Sequence, residues 1–302
     1  MSYDVSLISD LCIDLLFTGN VKPEYGQVEK FVDDYQVELG GSASIFASQF
    51  RKLGGQPAFL GVLGNDAFGA FLRQKLKDLE ISEEYLLQSK AKKTAVGLGL
   101  SYHDDRAMLT YKGTLEEVTP ERITSSGILQ ASKHIHINSY FLLEGIQDFW
   151  DESIAQLKTQ GMTFSLDTNW APEGNWERVH QLLGRVDVFI PNEEEAKLIA
   201  NKSSVLEAGL WLNERCPLVV VKRGAQGASV FQNGTCIDFA IPSEFIQNLQ
   251  IKDTTGAGDN FCAGFVFNWL KKQPIEACVE LGMKCGTSSL KEVGGIRGQL
   301  LP

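Results

Sequence analysis

Short apolar runs bounded by turn residues recur along the chain: Val5 to Leu11, Ala58 to Leu63, His134 to Asn138, Phe164 to Asp167, Val186 to Pro191 and Leu218 to Lys222. Runs without a polar face predict strands buried on both sides, as in a mostly parallel sheet. Between them apolar residues return at helical spacing, which predicts helices over Ala43 to Leu53, Ala67 to Leu79, Gln147 to Gln160, Glu193 to Ala200 and Val205 to Glu214. This alternation specifies an α/β protein with a doubly wound, mostly parallel central sheet flanked by helices. Toward the C-terminus the pattern changes. Ala228 to Ile241 alternates around Asn233-Gly234, a strong hairpin signal, and two helices are expected after it, Asn260 to Lys272 and Ile275 to Leu290.

Two stretches do not fit the alternation. Residues 15–39 are extended and polar and end in Tyr35-Gln36-Val37-Glu38-Leu39, while Val96, Leu98, Leu100 and Tyr102 alternate with Gly97, Gly99 and Ser101. Period-two alternation of this kind marks strands with one wet face. A hairpin through Asp104-Asp105 would return along Ala107 to Tyr111. The pieces form either a small separate sheet or edge strands of the main one. Taken as a separate sheet, they divide the chain into an α/β core, residues 1–14, 40–93 and 114–302, and a small β lid, residues 15–39 and 94–113.

Composition narrows the partners. The 302 residues include 28 basic and 38 acidic ones, a formal charge of −10, which argues against nucleic acid or an anionic membrane as a partner. An anionic ligand must then be held locally. No signal-peptide pattern opens the chain and no apolar run is long enough to span a bilayer, so a cytoplasmic location is expected. The six cysteines are scattered without a C-x-x-C pair, which favours reduced core thiols.

The densest chemistry lies in DTTGAGDNFCAGF, Asp253 to Phe265. Gly256, Ala257 and Gly258 are small enough for backbone N–H groups to approach an anion, and a helix is expected to begin near Asp259. A carboxylate at that junction either caps the helix or takes a proton from a hydroxyl nucleophile. Asp10 and Asp14 stand at the end of the first apolar run, where open α/β sheets bind ligands, as sugar-hydroxyl acceptors or as solvated carboxylates. Gly40-Gly41 before a helix could bring backbone close to a small ligand, whereas Gly61, Gly64, Asp66 and Gly69 suit turn and packing geometry. Asn192-Glu193-Glu194-Glu195 starts a helix after Pro191; its acidity suits the helix dipole, or Glu195 organises Mg²⁺ through water. Lys222, followed by Arg223-Gly224, reaches nucleotide phosphates or lies on the surface. Of the four histidines, His103, His134, His136 and His180, the His134-x-His136 pair reads as strand alternation. The chain has no Gly-Lys dipeptide, hence no P-loop, and neither a protein-kinase catalytic loop nor a G-x-S-x-G elbow.

In their order these motifs resemble the ribokinase-like (PfkB) family of carbohydrate kinases, within it the fructokinase and 2-keto-3-deoxygluconate kinase branch: Asp14, Gly40-Gly41, GVLGNDAFG from Gly61, Asn192 with Glu195, Lys222-Arg223-Gly224, and Asp253 to Asp259. The resemblance implies an ATP-dependent, Mg²⁺-requiring sugar kinase with Asp259 as base and Gly256, Ala257 and Gly258 as the anion hole. It puts Asp14, Gly40, Gly41 and Asn169 in the sugar pocket, and Asn192, Lys222, Gly224 and Gly227 on the nucleotide. Glu195 would serve Mg²⁺ through water, Asp253 and Thr255 a monovalent cation such as K⁺, and the lid a homodimer contact. Two positions depart from the family pattern. Ile45 replaces a frequent Asn, and in Asp167-Thr168-Asn169-Trp170-Ala171 the last residue replaces a frequent Arg, which points to a neutral acceptor. A nucleoside kinase and a catalytically silent sugar or nucleotide sensor are the alternatives; retention of Asp259 with its glycine turn speaks against the sensor.

Overall fold

The computed structural model describes residues 3–102, 105–169, 171 and 174–301. His103, Asp104 and Trp170, named above, lie outside the described residues. The strands in chain order are β1 (Val5–Ile8), β2 (Cys12–Thr18), β3 (Asp34–Gly40), β4 (Pro57–Leu63), β5 (Leu86–Gln88), β6 (Ala95–Tyr102), β7 (Asp105–Tyr111), β8 (His134–Ile137), β9 (Thr163–Leu166), β10 (Val188–Phe189), β11 (Leu218–Lys222), β12 (Ala228–Gln232) and β13 (Thr235–Phe239). The helices are α1 (Ser42–Lys52), α2 (Ala67–Asp78), α3 (Pro120–Ser126), α4 (Gln147–Thr159), α5 (His180–Leu183), α6 (Glu193–Ala200), α7 (Val205–Asn213), α8 (Ser243–Ile246), α9 (Ala257–Leu270) and α10 (Ile275–Ser289).

Nine strands form the main sheet in the order β13-β12-β11-β10-β9-β8-β1-β4-β5. Pairing is parallel from β11 to β5, and the Asn233-Gly234 hairpin adds β12 and β13 antiparallel at one edge. The alternation of side chains on each strand then builds a core on each face. Val5 and Leu7 of β1 join Phe46, Phe50, Phe265 and Val266 from α1 and α9, while Ile8 joins Trp150, Ile154 and Leu212 from α4 and α7. His134 and His136 follow the same rule. Both are buried toward α1 and α9, with His136 stacked 4.3 Å from Phe46, and burial pushes each imidazole down to about 3, so both are neutral.

The two out-of-pattern stretches form a second sheet, β3-β2-β6-β7. Here the structure departs from expectation. The first core strand stops at Ile8, and Asp14 lies within β2, paired with Glu38 of β3 and Gly97 of β6. The chain changes sheets between Ser9 and Leu11 with no Gly or Pro to mark the break, so the sequence reads as one apolar run. The helix expected from Asn260 starts at Ala257, which brings Gly258 and Asp259 into its first turn.

Helix α9 packs on α10 at backbone contact. A methyl group on Gly264 would stand 2.7 Å from the Leu281 carbonyl oxygen and 2.9 Å from Cys285 Sγ, and one on Gly282 would stand 3.0 Å from the Phe261 carbonyl. That closeness fixes where the N-terminus of α9 points. Gly264→Ala is therefore expected to destabilise the protein by roughly 1–3 kcal/mol through overpacking, read as a lower urea midpoint; an unchanged midpoint would refute the close packing.

Candidate active site

Asp167, just after β9, and Lys222, the last residue of β11, meet across the intervening β10 in an ion pair of 2.6 Å. Both side chains are nearly buried. Cys262 of α9 donates its thiol to the same Asp167 Oδ2 at 3.1 Å. Burial alone would raise the Asp167 carboxyl, but the Lys222 ammonium, its hydrogen bond and the Cys262 thiol bring it below its ordinary value. Burial works against the Lys222 charge as well, yet Asp167, Cys262 and Glu195 hold it raised. The pair is thus fully ionised at neutral pH, with Lys222 Nζ just 3.2 Å from where a Cβ on Gly258 would lie.

Gly258 belongs to the turn that starts α9. Several helices here close their first turn with a side chain: Asp66 caps α2 by accepting from Gly69 N, Ser204 caps α7 by accepting from Glu207 N, and Asn192 and Glu195 form a reciprocal box on α6, whereas the first residues of α4, α9 and α10 have no such cap. At α9 the capping position is Gly256, left-handed at φ 72°, which has no side chain to offer. Ala257 N reaches the Thr254 carbonyl at 3.3 Å, whereas the N–H groups of Gly258 and Asp259 have no backbone acceptor among the described residues. The helix therefore presents open donors and its positive end beside a lysine, an anion-binding arrangement.

The second glycine motif converges on the same point. Gly41 adopts φ 91°, and a Cβ there would lie 2.5 Å from the Asp10 carbonyl oxygen. Asp10 uses both carboxylate oxygens to cap α1, accepting from Ser42 N at 3.0 Å and Ala43 N at 3.2 Å. It is a structural cap, and Ser42 beside it lies close to Asp259. Burial pushes the Asp259 carboxyl well above its ordinary value and the Asp167 charge adds to this; Lys222 opposes it, Asp10 raises it further and the nearby Ser42 opposes. Such a carboxylate is a stronger base than a solvated one.

The other expected residues occupy distinct places. Asp14 lies against glycine backbone on both neighbouring strands: Cβ atoms on Gly40 and Gly97 would stand 2.3 and 3.0 Å from its Oδ1. Asn192 Oδ1 accepts from Glu195 N and Glu195 Oε2 from Asn192 N, both at 2.9 Å, leaving Glu195 Oε1 outside the cap. Burial and then the Asp167 charge push the Glu195 carboxyl up to about 7. Asp253 accepts from Thr255 N and Oγ1 and from Gly294 N, which ties the turn to the C-terminal tail. Gly224 and Gly227, at φ 54° and 90°, close the β11–β12 connection and make no bond to the Asp259 cluster among the described residues.

Asn169, at φ 47°, has a buried Oδ1 without a hydrogen-bond partner. It has company. Both amide atoms of Asn138 and the hydroxyls of Ser9, Ser44, Ser139 and Thr168 are also buried without partners. All but Ser44 follow the carboxyl ends of β1, β8 and β9; Ser9 adjoins Asp10, and Thr168 and Asn169 follow Asp167, while Ser44 lies in the first turn of α1. Ile45 packs over the turn instead, 2.9 and 2.5 Å from where Cβ atoms on Gly256 and Gly295 would lie, and Ala171 is buried in the core. Sequence reasoning missed Asn138 and Ser42, and Asn260 and Gln299 behind the turn. Ser42 and Asn260 directly follow singled-out motifs, whereas Gln299 has no local signal.

With this geometry in place, comparison with known proteins is informative. The family described as pfkB family carbohydrate kinase matches residues 4–300. An ATP-dependent 6-phosphofructokinase of Thermoanaerobacterium thermosaccharolyticum is 25% identical over 97% of this chain and 90% of its own length. A cytidine kinase of Thermococcus kodakarensis is 26% identical over 93% of this chain and 98% of its own. Among solved structures, a putative ribokinase II from E. coli in complex with ATP and Mg²⁺ superposes with a TM-score of 0.85 at 20% identity, covering 99% of this chain and 96% of that one; this likeness is one of fold.

Lys222→Met leaves Asp167 as an uncompensated buried charge and should lower stability by about 3–5 kcal/mol. Adding Asp167→Leu should restore most of the loss. Urea unfolding of both variants checks the pair, and a double variant no better than the single one would contradict it.

Proposed function

The chain belongs to the pfkB family of carbohydrate kinases, and from that premise we propose that it transfers the γ-phosphoryl group of ATP to a hydroxyl of a small neutral sugar. One observation carries the reading: Asp259, a carboxylate raised by burial, stands on the same helical turn as the unpaired N–H groups of Gly258 and Asp259, above Lys222. Asp259 takes the proton of the acceptor hydroxyl as its oxygen forms the bond to phosphorus and the bond to the ADP oxygen breaks. The open amides at the end of the Gly256 to Asp259 turn, those of Gly258 and Asp259, and the Lys222 ammonium stabilise the charge spread over the phosphoryl oxygens. Asn192, Gly224 and Gly227 flank the same strand end on the nucleotide side. The open amides and the buried lysine fit a triphosphate. Mg²⁺ bound with it would neutralise part of its charge, held through water by Glu195, whose Oε1 lies outside the cap. A monovalent cation such as K⁺ would lie by Asp253 and Thr255.

The acceptor half follows from the unpartnered polar atoms. A buried hydrogen-bonding group left unpaired costs about 1–3 kcal/mol, so Asn138, Thr168 and Asn169 are poised for the hydroxyls of a polyol, with Asp14, Gly40 and Gly41 completing the pocket. They are neutral, and the buried cation Lys222 is paired with Asp167, which supports an uncharged acceptor over a sugar acid or sugar phosphate. The second sheet acts in this reading as a lid that excludes water, a competing acceptor. The exposed Tyr35, Met108, Leu109 and Tyr111 on it suit a homodimer contact.

A coupled ADP-release assay over neutral sugars, sugar acids, sugar phosphates and nucleosides tests the proposal. A neutral sugar should sustain turnover, and Asp259→Asn should lower kcat by on the order of 10²–10⁴. Turnover only with a nucleoside or an anionic sugar would overturn the acceptor assignment, and a fully active Asn variant would overturn the role of Asp259.

A further inference from the structure

Behind the glycine turn, two buried carboxamides form a continuous hydrogen-bonded chain. Ser48 Oγ donates to Gln299 Oε1 at 2.6 Å; Gln299 Nε2 donates to the Ile45 carbonyl at 2.9 Å and to Asn260 Oδ1 at 2.8 Å; Asn260 Nδ2 donates to the carbonyls of Gly256 at 2.8 Å and Gly295 at 2.9 Å. Gln299 is 4% exposed and Asn260 is fully buried. The orientation of both amides is dictated, because the carbonyls of Ile45, Gly256 and Gly295 can only accept. All four amide N–H donors are therefore used.

From this geometry we infer that Gln299 and Asn260 are positioning residues for the anion turn. The Gly256 oxygen accepts both Asn260 Nδ2 and the helical Asn260 N–H, the latter at 2.9 Å. Both of its lone pairs are taken, so the plane of the Gly256–Ala257 peptide is fixed, and with it the direction of the open amides that follow. Gln299 extends the constraint to α1. The Ile45 carbonyl that it holds lies on the helix whose first residue, Ser42, stands beside Asp259. The C-terminal tail thereby sets the spacing between the turn that faces the phosphoryl group and the helix that faces the acceptor. An apolar side chain of the same volume would fill this space as well for packing alone; a fully satisfied polar chain adds a unique geometry.

The inference rests on reading the turn as the γ-phosphate site, and the test separates the two. Binding of Mg²⁺·ADP and of Mg²⁺·AMP-PNP to the full chain is measured by calorimetry for the wild type, Gln299→Met, Asn260→Ala and Ser48→Ala, with a thermal melt of each. ADP does not reach the turn, so Gln299→Met should weaken AMP-PNP about tenfold, the scale of one well-made hydrogen bond, while ADP affinity stays within about twofold. Asn260→Ala cuts the chain at its other end and should give the same selective loss, which keeps the test open if either variant fails to fold. Ser48→Ala leaves every Nε2 and Nδ2 bond in place and should change neither affinity. Equal weakening of both nucleotides, or a lower melting temperature with both affinities intact, would reduce the chain to a structural role and overturn the inference. A wild-type protein that binds neither nucleotide would overturn the reading of the turn itself, and the inference with it.

Discussion

The buried pair of Asp167 and Lys222 governs the electrostatics of the candidate site. Neither charge is tolerable alone in that setting, and together they join the ends of two strands to the first turns of α9 through Cys262 and Gly258. The consequences spread outward. The Asp167 charge helps lift both Asp259 and Glu195 above ordinary carboxylate behaviour, and Lys222 opposes both shifts while supplying a fixed cation under the turn. A well-packed apolar pair would fold as well or better, so the charge pair is best understood through what it does to its neighbours.

Local helix chemistry completes the site by omission. Asp66, Asn192 and Ser204 close the starts of α2, α6 and α7, whereas at α9 the chain places a glycine in the left-handed region and leaves the amides of Gly258 and Asp259 open. Beside Lys222 these open amides suit the phosphoryl site proposed above. The close α9–α10 packing and the Gln299–Asn260 chain hold this uncapped end in position, so the rigidity lost at the cap is supplied from behind.

What the sequence revealed follows the range of the interaction concerned. Buried strands such as Leu218–Lys222 and the hairpin at Asn233-Gly234 are written in consecutive residues, and so is the glycine turn; each was legible to within a residue or three. Asp14 was assigned to the wrong sheet because the turn out of β1 carries no breaker, and pairing with Gly97 is a property of a strand far along the chain. The Asp167–Lys222 pair spans 55 residues and the Gln299–Asn260 bond 39, and no periodicity encodes such contacts. Asp10 shows a different limit. A carboxylate at a strand end and a carboxylate capping the next helix look identical in sequence, and the position of Ser42 N decides between them.

The central claim is that Asp259 acts as a base whose proton affinity is raised by its surroundings. The most direct measurement is the pH dependence of kcat/KM for the acceptor that sustains turnover. Because the base must be unprotonated, the rate should fall as pH drops through its pKa, with the acid limb centred well above the ordinary carboxylate value of about 4. A rate that stays flat down through the ordinary carboxylate range would contradict the account, since burial and the Asp167 charge both push Asp259 above that range.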